Sequence, residues 1–423
     1  MGSLSLARLS LDAGKRLQSS FTKWVHLRYE GLGGEAIPIY ENVCFVLALL
    51  RDRQKEGIDE AARLLEHLLH FQLPSGNFPL YLHEYPYASS RPLAIHLLVP
   101  FFWIGLYFLP FLPPPLVQRF KRAVQSLHQY GLCSEREAPF PPSIAQKLKG
   151  FGQEKGEELP VFETSIDWEN GFLAAQMLGQ EGMLLAEGLK VWNSHLRTFT
   201  GRPMREFQRG FRSEVTLFDL AMGEVTGCRP KMEECPLPLL LRASVIFPIK
   251  KPIMDLGKNA DWSFQVMEGE SKKARGYHSL RILWGNHSFV CQTPQLWIEK
   301  LNEHGCLFSY PEGEFSLKKG EELSFYVDRQ PGVIPLINGE RATLFHLTDR
   351  VSVRSPTKML RLFFSIAEGF GTFCGHLRMG NRPSQRLTHG GTAYDWQIVL
   401  RTIRRSSHLK VRLLFHLENH SSP

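Results

Sequence analysis

Near position 235 the spacing of apolar residues changes period, and that change constrains the fold more than any other feature of the chain. Between 40 and 230, apolar residues recur at helical spacing in segments that come in pairs. A longer loop carrying Gly, Pro and aromatic residues separates each pair from the next. After the proline-bearing stretch Pro236 to Pro252 the period falls to two. A period of 3.6 buries one stripe of a helix and a period of two buries one face of a strand, so a single backbone conformation cannot serve both halves. The expectation is an α+β multidomain protein, with helical hairpins over 1–235 and an antiparallel β-sandwich over 236–423.

The first predicted pair is Glu41 to Arg53 with Ile58 to Phe71, and the second is Pro92 to Leu109 with Leu116 to Tyr130. The third is Ser165 to Leu178 with Met183 to Arg197. A fourth begins at Glu214 and ends near Gly227, and an amphipathic segment from Leu9 to Arg28 precedes them all. In each complete pair the first helix is the more apolar and the second the more charged. Two layers satisfy that asymmetry, inner helices packed on all sides and outer ones wetted along an edge, as in an incomplete α/α toroid or an open solenoid. Beyond Pro252 the predicted strands are Trp262 to Met267, His278 to Trp284, Ser288 to Gln292 and Leu323 to Asp328, then Val351 to Arg354, Leu360 to Ser365, Trp396 to Ile403 and Leu409 to Leu417. The pairs Gly285-Asn286 and Asn338-Gly339 read as turns between them.

The basic excess is uneven. From 236 onward there are 25 Lys and Arg against 16 Asp and Glu, which leaves 25 against 26 of the totals before it. That bias suits an anionic partner such as an acidic polysaccharide, and a solvated basic surface equally. No recognised nucleic-acid module accompanies it. The seven cysteines form no CxxC pair, and Cys44 lies within Val43-Cys44-Phe45-Val46, so a free buried thiol and a cytoplasmic address are expected. Arg8, Asp12, Lys15 and Arg16 interrupt the N-terminus as a signal peptide. Ala94 to Leu112 lacks Asp, Glu, Lys and Arg, but Pro100 and Pro110 favour a buried helix over a membrane span. No metal-ligand spacing, P-loop or dinucleotide GxGxxG is present, so no metal or cofactor is expected. Oligomeric state is left open.

The loops after the second helices are expected to emerge on one rim. Leu73 to Arg91 supplies His83, Tyr85, Tyr87 and Arg91, and Thr200 to Ser213 supplies Arg202, Arg205, Arg209 and Arg212. The third inner helix opens with Trp168 and Asn170. The segment LLHFQLPSGNFPLY at 68–81 and the helix-then-sheet order resemble the polysaccharide lyases of the heparinase II/III and chondroitin or hyaluronate lyase kind. The resemblance is architectural and covers most of the chain. It implies β-elimination on a uronate glycan, with His83, Tyr85 and Tyr87 as catalytic candidates and Arg91, Trp168, Asn170, Arg205 and Arg209 binding substrate in a cleft beside the sheet. A toroid and β-sandwich protein that only binds a glycan or protein is the leading alternative. A glycoside hydrolase using Asp167 and Glu169, with Glu84 or Glu214, is another. Each residue also has a structural role to weigh: loop shaping for His83 and Tyr85, a solvated stripe for the four arginines, core packing for Trp168 and a helix start for Asp167. His389-Gly390-Gly391 with Tyr394 and Trp396, and Asn286-His287, form a further polar cluster that also reads as hairpin connections.

Overall fold

A computed structural model of the chain describes residues 5–28, 34–87, 95–134, 165–193, 198–199, 215–227, 229, 235–249, 261–266, 269–270, 279–285, 287–291, 296–313, 321–327, 329–383 and 394–419. It is an α+β protein with antiparallel sheets, and it divides into two compact units. The first takes in Met1–Val161, Ile166–Lys190 and Val215–Leu256; the second takes in Phe162–Ser165, Val191–Glu214 and Gly257–Pro423.

In the first unit the helices are α1 (Leu6–Leu17), α2 (Ile39–Asp52), α3 (Lys55–Leu69), α4 (Leu98–Tyr107), α5 (Pro114–Ser134), α6 (Ser165–Met177), α7 (Glu181–Val191), α8 (Leu217–Thr226) and α9 (Leu237–Arg242). The difference between first and second helices is visible in their burial. From Glu41 to Leu50 every residue of α2 is buried, whereas α3 buries the single stripe Ala61, Leu64, Leu65, Leu68 and Leu69. Arg53, in the left-handed conformation at φ 56°, ends α2 and turns the chain into α3. Helix α2 packs against α1, α3, α4 and α9. A methyl group on Gly14 would collide with the Phe45 ring, so a glycine there lets α1 approach α2 closely. Buried Asn42 ties the segment at Val25 to the start of α2. Its amide donates to the carbonyls of Val25 at 3.1 Å and Pro38 at 2.7 Å, and its oxygen accepts from the Val25 N–H at 2.8 Å.

Three expected helices differ in extent. The segment from Leu9 to Arg28 is helical only to Leu17; Gln18 then bridges Val25, and Leu27–Arg28 pairs with Glu35–Ala36. The helix expected to reach Arg197 ends at Val191, where Trp192–Asn193 pairs with Thr198–Phe199. The apolar run 94–112 is broken into a 3-10 turn at Ile95–Leu97, α4, and a second 3-10 turn at Leu109–Phe111 that begins beside Pro110. Among the described residues no helix is long and apolar enough to cross a membrane. The first unit also continues past 235 to Leu256, because Leu239, Leu240, Leu241 and Val245 bury their side chains and α9 packs on α1 and α2.

The second unit holds two seven-stranded antiparallel sheets. One runs Ile334–Ile337, Val351–Arg354, Lys358–Glu368, Lys410–Asn419, Gly305–Ser309, Trp297–Asn302 and Gly269–Glu270. The other runs Leu344–Phe345, Gly371–Pro383, Tyr394–Arg405, Glu322–Val327, His287–Cys291, Leu280–Trp284 and Trp262–Val266. Inward residues of both sheets share one core, among them Trp284, Phe289 and Phe325 from one and Phe308, Leu362 and Val411 from the other.

Candidate functional site

Polar residues gather near the ends of helices in the first unit. Tyr40 and Glu41 open α2, His96 stands in the turn before α4, Glu169 lies in the first turns of α6, and Arg242 ends α9. The segment after α9 is clamped from three helices, and this fixes Arg242. From α2, Arg51 donates to the carbonyls of Ser244 and, at 2.8 Å, Ile246, and its guanidinium lies 4.3 Å from the Phe247 ring. From α4, Trp103 stacks on Phe247 at 4.3 Å. From α6, the Gln176 amide donates to the Phe247 carbonyl at 3.0 Å. With no carboxylate beside it, Arg51 has its proton affinity lowered to about 10 by burial.

Arg242 donates to one oxygen of Glu41 through Nε at 2.9 Å and through Nη2, and its guanidinium sits 5.6 Å from the centre of the Tyr40 ring. The two partners differ in exposure: the Glu41 side chain is 3% exposed and that of Arg242 38%. A buried carboxylate thus holds a cation that still reaches open space. Burial opposes the charge of Arg242, but Glu41 and Tyr40 outweigh it and strengthen its hold on its proton.

Tyr40, His96 and Glu169 are also half-buried, and each is packed closely enough to move its proton affinity. Their packing against one another and against the surrounding helices makes the charged form of each acid and of the imidazole costly. Burial first, then the charge of Arg242, brings His96 down to about 4, so its imidazole is neutral near pH 7. Burial first, then Cys44, raises the Tyr40 phenol well above its usual value. Burial raises Glu169 despite the opposing Leu217 N–H and Arg242. Glu169 accepts that N–H at 2.8 Å and so also anchors the first turn of α8, where Thr216 and Asp219 form a capping box. The Tyr40 and His96 rings lie 6.3 Å apart at 62°. Beneath them Cys44 is buried, and burial raises its thiol to about 12, so it stays protonated.

The residues singled out from the sequence fall in several places. Trp168 and Asn170 are buried on either side of Glu169, with Trp168 stacked on Phe218 at 5.3 Å. His83 is exposed in the turn Leu82–Glu84 and stacks on Tyr81 at 5.5 Å. Tyr85 is 45% and Tyr87 78% exposed, and Tyr85 meets Phe71 edge-on. Glu84 accepts the Leu80 N–H at 2.9 Å. Arg91, Arg202, Arg205, Arg209, Arg212, Glu214, Asn286 and His389-Gly390-Gly391 lie outside the described residues, as do the side chains of Asp167 and Tyr394. In the second unit Trp396 lies under the Arg329 guanidinium at 5.3 Å, and His287 is buried against Trp284. Among the described residues no group of three or more His, Cys, Asp or Glu could hold a metal ion. Sequence reasoning missed Tyr40, Glu41, His96 and Arg242. His96 is the sole ionisable group between Ala94 and Leu106, and Arg242 the sole charge between Pro236 and Ile249. No known protein family matches this chain, and no curated protein matches it.

Proposed function

We propose that this is a carbohydrate-active protein built as an incomplete α/α toroid with a β-sandwich, which cleaves a uronate-containing glycan by β-elimination at the cluster of Tyr40, His96 and Arg242. One observation carries the reading: a held cation, a neutral imidazole and a protonated phenol lie together, with the Tyr40 ring 5.6 Å from the Arg242 guanidinium and 6.3 Å from the His96 ring. The reaction needs those three types of group. Arg242 keeps Nη1 clear of Glu41 and would pair with the uronate carboxylate, which makes the proton on the adjacent carbon more acidic. His96 would take that proton. The carbon–oxygen bond to the neighbouring sugar then breaks, its electrons go to the oxygen, and Tyr40 would protonate it as a new double bond forms beside the carboxylate. A substrate carboxylate on Arg242 also cancels part of the field that depresses His96, so binding strengthens the base.

Glu169 favours a second reading. A half-buried carboxyl with a raised proton affinity is suited to act as a general acid in glycoside hydrolysis.

The test offers a panel of uronate polymers and follows ultraviolet absorbance. Absorbing unsaturated ends that Tyr40→Phe and His96→Asn abolish are the expected result. New reducing ends without absorbance, lost in Glu169→Gln, would establish hydrolysis instead. A shift in melting temperature with neither product would leave a binding protein, and no response to any polymer would remove the glycan reading.

A further inference from the structure

The second unit carries a separate recess on the outward face of one sheet. Strands Lys358–Glu368 and Lys410–Asn419 are neighbours there, with Phe363 opposite Leu414 and Arg361 opposite His416. Residues 360, 362, 364, 411, 413 and 415 point into the core, so these four side chains point away from it. They help to line a cleft of about 710 Å³, which adjoins another of about 430 Å³ through the shared residues Arg350 and Phe363. Both volumes fall in the range of roughly 300–1,000 Å³ common for small-molecule sites.

The floor is apolar and the rim is mixed. Phe363 is 41% exposed and Leu414 half-exposed, which gives a flat hydrocarbon surface. Arg361 donates one nitrogen to Glu418 at 2.8 Å, which fixes its guanidinium at the rim. Arg350 has no ion pair among the described residues, although its backbone is held on both sides: its N–H donates to the Asn338 side chain at 2.9 Å and its carbonyl accepts from the Asn338 N–H at 2.8 Å. Asn338 is itself held by Asp349 at 2.9 Å. Across the cleft, Glu303 supplies an acceptor, and His304 is fixed by stacking on Trp262 at 5.2 Å.

We infer that this cleft binds an uncharged oligosaccharide of N-acetylated hexoses. Two arginines stand against Glu303 and Glu418, so the recess has no strong net charge and does not select an anion. A sugar ring presents an apolar face of C–H groups to a ring such as Phe363, and its hydroxyls offer donors and acceptors to a mixed rim. The acetamide adds a methyl group for Leu414 and a carbonyl for Arg350. The inference does not rest on the reaction proposed for the helical unit.

The test is calorimetric titration of the full chain with chitohexaose, cellohexaose and a hexamer of galacturonate. The expected result is saturable binding of chitohexaose with Kd of roughly 0.1–1 mM, weakened at least about tenfold by Phe363→Ala, as loss of a stacking contact worth about 1.4 kcal/mol implies. Arg350→Gln, an exposed change, carries the test if Phe363→Ala fails to fold, and is expected to weaken binding several-fold. Absence of saturable chitohexaose binding overturns the inference, as does binding that neither substitution alters. Equal or tighter binding of cellohexaose or the galacturonate hexamer overturns it as well.

Discussion

The depressed proton affinity of His96 makes a quantitative demand on stability. In the folded chain the imidazole titrates at about 4, against its usual 6.5. Above 6.5 it is neutral in both folded and unfolded states and contributes no pH dependence. Between 6.5 and about 4 the unfolded chain binds a proton that the folded chain refuses, so stability falls as pH falls through that window. The span is about 2.5 decades at about 1.4 kcal/mol each, a ceiling of about 3 kcal/mol, and the part of the ring still wetted brings the expected loss to about 2 kcal/mol. Tyr40 and Arg242 face the ring and stay protonated throughout, and Glu41 and Glu169 stand near Arg242. The measurement is therefore a difference. Urea unfolding, followed by the helical circular dichroism signal, is run for the wild type and His96→Gln from about pH 7 to about pH 4. The variant is expected to lose about 2 kcal/mol less than the wild type. Parallel curves, agreeing within about 0.5 kcal/mol over the window, would refute the assignment of a neutral, desolvated imidazole.

Three further outcomes follow from the same structure. Glu169 holds its proton more tightly when folded, so stability should fall as pH rises above the ordinary carboxylate value of 4.5; Glu169→Gln should remove that slope and gain on the wild type as pH rises from there in the same urea assay. Arg242→Met leaves Glu41 buried without its cation and should cost about 3–5 kcal/mol, whereas Glu41→Gln with Arg242→Met should recover at least about 1 kcal/mol, and strict additivity in the double-mutant cycle would contradict the pairing. In the β unit Arg405, 2% exposed, donates to both Glu321 oxygens at 2.6 and 2.8 Å and to the Pro311 carbonyl at 3.1 Å; Arg405→Met should lower the midpoint of β-unit unfolding by about 3–5 kcal/mol of stability, measured by denaturant melts.

How far the sequence was readable depended on what each residue faces. Helix α2 and the strand Val351–Arg354 were legible because their apolar spacing states which side is buried. The strand Gly371–Pro383 was not, since Gly371, Gly375 and Gly380 lower strand propensity. The reason for Gly375 appears only in three dimensions, where a side chain would strike the Phe345 ring. Trp297–Asn302 was missed for a different reason: its exposed Trp297, Leu301 and Asn302 carry no clean alternation of apolar and polar residues. Of the candidate site, Glu169 was named and its neighbours Trp168 and Asn170 were noticed, while attention went to loop residues such as His83 and Tyr87, which are exposed. His96 and Arg242 passed unremarked because an apolar run was read for its length and not for the single polar group inside it.

Ionisable groups in the middle of an all-round buried helix would be desolvated with no space for a ligand, whereas at a helix start they meet unpaired N–H groups and the positive end of the helix dipole. Glu41 lies in the first turn of α2, and Glu169 accepts the first N–H of α8, a contact that burial outweighs at Glu169. Arg242 then joins the acid side to Tyr40 and His96, which have no charge of their own near neutral pH. With its side chain 3% exposed against 38% for Arg242, Glu41 is the buried anchor of the pair, and taking the cation away strands a carboxylate that has no water to replace it.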